Sequence, residues 1–94
     1  MKLTKIQLPD KQADGYEIPV GPFNLVFAAT GTGTVVCGAF DLAAFDKHGH
    51  PAAKVTGVKT VDDLLAAAVK DVNEAGRKKG IHVGMTGRQA LEKL

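Results

Sequence analysis

Between Thr60 and Gly80 the apolar residues recur at three- and four-residue spacing. Val61, Leu64, Leu65, Ala68, Val69, Val72 and Ala75 fall on one stripe, while Asp62, Lys70, Asp71, Asn73, Glu74, Arg77 and Lys78 lie mostly outside it. The pattern predicts one long helix from Val61 to Lys79, about 28 Å long at a rise of about 1.5 Å per residue. Thr60 followed by Asp63 has the form of a capping box. Acids fill the first turn, Arg77, Lys78 and Lys79 fill the last, and Gly80 is a left-handed stop.

Upstream the period changes to two. Tyr16, Ile18 and Val20 alternate with polar or special positions, so 16–20 reads as a strand after a turn at 12–15, and Gly21-Pro22 ends it. Residues 2–8 form a further strand candidate with poor alternation, closed by Pro9-Asp10. The runs FNLVFAA (23–29) and TVVCGAF (34–40) flank Thr30-Gly31-Thr32-Gly33, which predicts a hairpin with glycines at positive φ. Both runs are apolar at odd and even positions alike, and a strand of that kind requires cover on both faces. The long helix covers one. The other falls to the terminal helix, the 42–47 segment or a second copy of the chain, and the last of these predicts a homo-oligomer.

Asp41 is placed to cap a short helix from Leu42 to Lys47, followed by the loop His48-Gly49-His50-Pro51. Residues 52–58 read as the next strand. Ile81-His82-Val83 reads as a short edge strand, with a right-handed crossover if it runs parallel to 52–58. Thr86 with Gln89 caps a closing helix, onto which Met85 can staple at Ala90. The expected fold is α+β in one domain spanning 1–94. It has an antiparallel-rich mixed sheet of four to five strands, one long helix packed on it and a short C-terminal helix.

Composition narrows the function classes. A chain of 94 residues with 45% hydrophobic and 23% charged residues is globular, and with no Trp its core is mainly aliphatic. A formal charge of +2 is too small to point to nucleic acid. No window approaches the roughly 20 apolar residues of a membrane span, and the first ten residues lack the apolar core of a signal peptide. A single cysteine forms no internal disulfide, so the expected compartment is the cytoplasm.

The candidate chemistry is sparse. Cys37 is the one thiol and the one candidate nucleophile, sharing a strand face with Val35 and Ala39. Catalysis there needs a base or cation nearby, with His48, His50 and His82 the available histidines. His48, His50 and Asp46, with Cys37 or Asp41, resemble a ligand set, but no paired-cysteine or His-Glu-x-x-His spacing accompanies them, so no metal and no cofactor is expected. Gly31-Thr32-Gly33 is no dinucleotide fingerprint, because Val36 stands where the third glycine belongs and a strand follows. The loop Gly84-Met85-Thr86-Gly87-Arg88 opens a helix, and its N–H groups with Arg88 are the candidate site for a small anion. Arg77-Lys78-Lys79 is explained by the helix dipole.

The segments VVCGAFD (35–41), AAKVTGVKTVDDLL (52–65) and GIHVGMTGRQAL (80–91) together resemble the YunC-like family, small prokaryotic proteins of unknown function. The resemblance spans roughly residues 33–94. It implies a compact mixed α and β domain and brings no catalytic residues. It does draw attention to Cys37, Gly57, Thr60, Gly84, Thr86 and Gly87. Two functions of different class follow. One is a self-associating binding or interaction module. The other is a small enzyme using Cys37 with the 84–88 loop as anion site.

Overall fold

In a computed structural model describing residues 1–94, six strands form one sheet in sequence order. They are β1 (Lys2–Gln7), β2 (Gln12–Val20), β3 (Phe23–Ala29), β4 (Thr34–Val36), β5 (Ala52–Lys54) and β6 (Asp71–Val72). All neighbours are antiparallel except β4 and β5, which run parallel and are joined through α1 (Leu42–Asp46). The remaining helices are α2 (Val61–Ala66), α3 (Glu74–Lys78) and α4 (Gly87–Lys93).

The α+β class with a mostly antiparallel sheet is therefore as expected, but two details are not. The sheet has six strands, and the single long helix does not exist. After Ala66 the chain turns extended, with Ala67 at ψ 150, and only returns to helix at Glu74. Periodicity cannot see the reason, which is competition for backbone hydrogen bonds. Val69 N–H donates to Met85 O at 2.7 Å, Gly84 N–H to Val69 O at 3.0 Å, and Lys70 N–H to Lys54 O at 2.8 Å. Val69 and Val72 are buried by either conformation, so the apolar stripe does not distinguish them.

Asn73 fixes where helix resumes. Its Oδ1 accepts from Gly76 N–H at 2.8 Å as the cap of α3 and from Ala52 N–H at 3.0 Å, while Nδ2 donates to His50 O at 2.7 Å. The basic turn and Gly80, at φ 92, do end a helix, but that helix is only α3. Thr60 caps α2 as expected, accepting from Asp63 N–H at 3.1 Å, whereas the Asp63 carboxylate accepts from Lys59 N–H at 3.1 Å.

Residues 81–83 do not join the sheet, because 71–72 takes the free edge of β5 first. The parallel crossover consequently belongs to β4, α1 and β5. The 30–33 hairpin forms, yet neither of its glycines has positive φ. Gly33 is needed for close approach instead. A Cβ there would collide with the Leu94 side chain and lie 2.9 Å from Pro51 O. β2 begins earlier than its alternation suggests because Gly15 occupies an inward position. A Cβ on Gly15 would lie 2.8 Å from Val61, so the glycine lets α2 settle on the sheet.

The main core lies between one sheet face and α2 and α4, with Val26, Ala28, Val35, Val55, Leu64, Val69 and Leu91 all fully buried. A smaller cluster on the opposite face, Val36, Leu42 and Ala52, is covered by α1 together with Phe27, Phe40 and Phe45. Asp41 caps α1 as predicted, accepting from Ala43 N–H at 2.9 Å.

Asn73→Ala separates the observed fold from a continuous helix. Within a helix interior the change would be neutral or favourable, since Ala is the better helix former. Here it strands two N–H groups and a carbonyl in a buried position, and the expected loss is about 2–4 kcal/mol in urea unfolding. Thr60→Ala, which removes one exposed cap, should cost about 1 kcal/mol. Equal costs for the two variants would show that Asn73 bridges nothing.

Candidate functional site

Two places carry the residues singled out by sequence, and they lie in separate grooves. The first is at the carboxyl end of β4. Cys37 N–H donates to Val26 O at 3.1 Å, extending the ladder one residue beyond Val36, and Phe40 N–H donates to Cys37 O at 3.2 Å, turning the chain away. Cys37 is 5% exposed and packs with Val35 in the main core. With Phe23, Asn24, Gly38, Ala39, Gly57 and Val58 it lines a shallow groove of about 230 Å³.

None of the three histidines lines that groove. His50 Nε2 lies 2.9 Å from Thr34 Oγ1, and its ring lies beside Phe45 with centroids 5.6 Å apart. Thr34 begins β4, so strand rise alone places it about 10 Å from Cys37. His48 is exposed in the α1–β5 loop, and His82 Nδ1 lies 3.3 Å from Val83 O. A thiol nucleophile needs an adjacent base or cation, and Cys37 is held among aliphatic side chains instead. His48, His50, Asp46, Asp41 and Cys37 are likewise not gathered. No three His, Cys, Asp or Glu side chains converge into a coordination set.

The second place is the 84–88 loop. Most of its backbone donors are already engaged. Gly84 N–H bonds Val69 O at 3.0 Å and Gly87 N–H bonds Ala67 O at 2.9 Å. Thr86 and Gln89 form the reciprocal capping box, with Gln89 N–H on Thr86 Oγ1 at 3.1 Å and Thr86 N–H on Gln89 Oε1 at 2.9 Å. The Arg88 guanidinium turns to β1, where Nη2 donates to Gln7 O at 2.8 Å, with Glu92 at 3.9 Å from Nε. Gly87 is a contact residue, since a Cβ there would collide with the carbonyl oxygen of Leu64. This geometry favours a capped, closely packed helix start over an anion cradle.

Pattern reading overlooked the groove around Asn24, Gly38, Ala39, Val58 and Lys59. The available signal was the pair of glycines, Gly38 and Gly57, each inside a run read as strand (34–40 and 52–58), of which only Thr34–Val36 and Ala52–Lys54 form. The apolar second face expected of 23–29 is present, and β1 and β2 extend it beyond what the pattern showed. Leu3 pairs with Tyr16 and Tyr16 with Phe27 in register, so these side chains share the face that α1 covers only at the β4–β5 end. Tyr16 and Phe27 stack with centroids 4.7 Å apart. Leu3, Val20 and Phe23 remain 52%, 42% and 59% exposed.

Two measurements check these placements. Gly87→Ala should destabilise the protein by about 1–3 kcal/mol through overpacking, although the same change in an open helix stabilises by about 1 kcal/mol. A raised melting temperature would show that α4 does not pack on α2 this closely. A bulky maleimide should modify Cys37 slowly in the native protein and rapidly in urea, whereas fast native labelling would show a presented, activated thiol.

Comparison with known proteins adds family but no activity. Over its full length the chain is 33% identical to the uncharacterized protein YunC of Bacillus subtilis, of which 97% is covered. The crystal structure of a protein of unknown function from Thermoplasma acidophilum superposes with a TM-score of 0.92 at 30% identity, over 99% of this chain and 91% of the other. Residues 36–94, which hold Cys37, the 84–88 loop and all of α1 to α4, match the family described as domain of unknown function DUF1805. The chain belongs to that family, which includes the YunC-like proteins.

Proposed function

We propose that the protein is a non-enzymatic interaction module that self-associates through the open half of its sheet. The observation that carries this reading is the uncovered apolar surface over β1–β3: Leu3, Tyr16, Ile18, Val20, Phe23 and Phe27 lie on one face by strand alternation and register, and α1 shields only the far end. A contiguous patch of this kind marks an interaction surface. Aromatic anchors such as Phe23 and Tyr16 are the residue types that interface cores favour.

Charge supports a second copy as the occupant. The patch interior holds no ionisable group but the Tyr16 phenol. At its border Lys5 pairs with Asp14 at 2.6 Å, and this hydrogen bond, with the Asp14 charge, raises the Lys5 ammonium above its ordinary pKa. The pair is exposed and adds little stability, but it leaves no net charge to select an oppositely charged partner. A two-fold axis would lay the patch on itself. Pairing through the β1 edge is less favoured, because Lys2 and Lys5 guard it. The lone buried cysteine fits a reducing compartment, the cytoplasm. The thiol-enzyme alternative has Cys37 and the 84–88 loop in different grooves, which favours the non-enzymatic reading.

Sedimentation equilibrium at micromolar to hundreds of micromolar concentration tests the proposal. Wild type should be a dimer or larger. Phe23→Asp, at an exposed position, should shift the mass to monomer with an unchanged far-UV spectrum. A monomeric wild type throughout that range, or a Phe23→Asp variant as associated as wild type, overturns it.

A further inference from the structure

The sheet is interrupted beside Cys37, and the interruption has the chemistry of a peptide-binding slot. β3 has seven residues but β4 only three, so their ladder ends at Phe27 opposite Val36, with one further bond from Cys37 N–H to Val26 O at 3.1 Å. Backbone polar groups alternate sides along a strand. Val26 directs its groups toward β4, and Asn24, two residues earlier, directs its own to the same side, where β4 has already turned away. Asn24 is thus a short open edge inside the sheet.

The far wall of the gap is the loop after β5. Asn24 Nδ2 reaches across to Lys59 O at 3.1 Å and holds that loop in place. The N–H groups of Gly38, Ala39, Gly57 and Val58 donate to no acceptor in the chain. Two carboxylates lie nearby and are both hydrogen-bonded, Glu17 to Val61 N–H at 2.9 Å and Asp63 to the backbone N–H of Lys59 itself at 3.1 Å. Lys59 makes no ion pair, and no acidic residue lines the adjoining grooves. Free donors, one cation and apolar walls at Phe23, Ala39 and Val58 complement a carboxylate that follows an aliphatic side chain.

We propose that this slot binds the carboxyl end of a peptide, its main chain extended along Asn24 and its carboxylate taken by the glycine-loop N–H groups and Lys59. Phosphate or a simple carboxylate would satisfy the donors but leave the Asn24 edge and the apolar walls unused. Strand addition combined with capture of a chain terminus is an established mode of peptide recognition.

The test uses the intact protein with acetyl-Gly-Ala-Val as free acid, the same peptide as its C-terminal amide, and acetate. The free acid should shift the amide resonances of Asn24, Gly38, Ala39, Gly57 and Val58 and slow alkylation of Cys37 by iodoacetamide. The amide peptide should bind about tenfold more weakly, since it loses a charge-assisted contact. Lys59→Gln should weaken the free acid several-fold, and Ala39→Asp should abolish its binding while retaining the wild-type spectrum elsewhere. The inference is overturned if the free acid shifts none of these amides, if acid and amide bind alike, if acetate at the same concentration gives the same shifts, or if Ala39→Asp binds as wild type.

Discussion

The buried Asn73 side chain holds together the parts of this fold that are furthest apart in topology. One carboxamide accepts from the first residue of β5 and from the first turn of α3, and donates to the loop that leaves α1. Those bonds place the parallel strand β5 beside β4 and end the extended segment that precedes α3. They also satisfy N–H groups that would otherwise be buried without partners, a loss that burial makes expensive. β6 is only two residues long, so the ladder alone gives this region little hold. The side chain supplies what the short strand lacks.

Once residues 67–73 are extended, other features follow. Val69 is bonded on both sides by the 84–85 backbone, which brings the start of α4 against the end of α2. Close approach at that crossing requires Gly87, and its N–H then ends α2 by bonding Ala67 O. The loop that looks like an anion site in one dimension is a crossing of two helices in three. Its glycines serve contact and turning, and its basic residue reaches β1.

The sheet has two unequal faces. α2 and α4 bury one against a continuous aliphatic core, while α1 closes only one end of the other. The apolar character of both faces of 23–29 therefore has two outcomes in one strand. Val26 and Ala28 enter the core, whereas Phe23 is left at the surface. The early turn of the chain after Cys37 adds the third surface feature, an unfilled place in the sheet at Asn24. These consequences arise from strand lengths that differ between neighbours, not from any residue unusual in itself.

Local chemistry determined the elements whose signals are complete within a few residues. Asp41, Thr60 and Thr86 cap helices as their side chains dictate, the 23–36 hairpin forms from two apolar runs around a short turn, and Gly80 ends a helix. Segments from 35 to 91 also carry enough family pattern to be recognised. Tertiary structure decided what happens between Ala66 and Glu74, because an apolar stripe with a period near 3.6 is buried equally well by helix or by short paired segments. Only the bare edge of β5 and the 84–85 backbone choose between them. The same limit applies to Cys37. Sequence places a thiol at the end of a strand, but distance from His50 and the aliphatic packing around it are set by where β4 stops and what covers it. Hydrogen-bond partners remote in sequence have no local signature, so the break in the helix, the extent of the open sheet face and the slot at Asn24 became visible only with the chain folded.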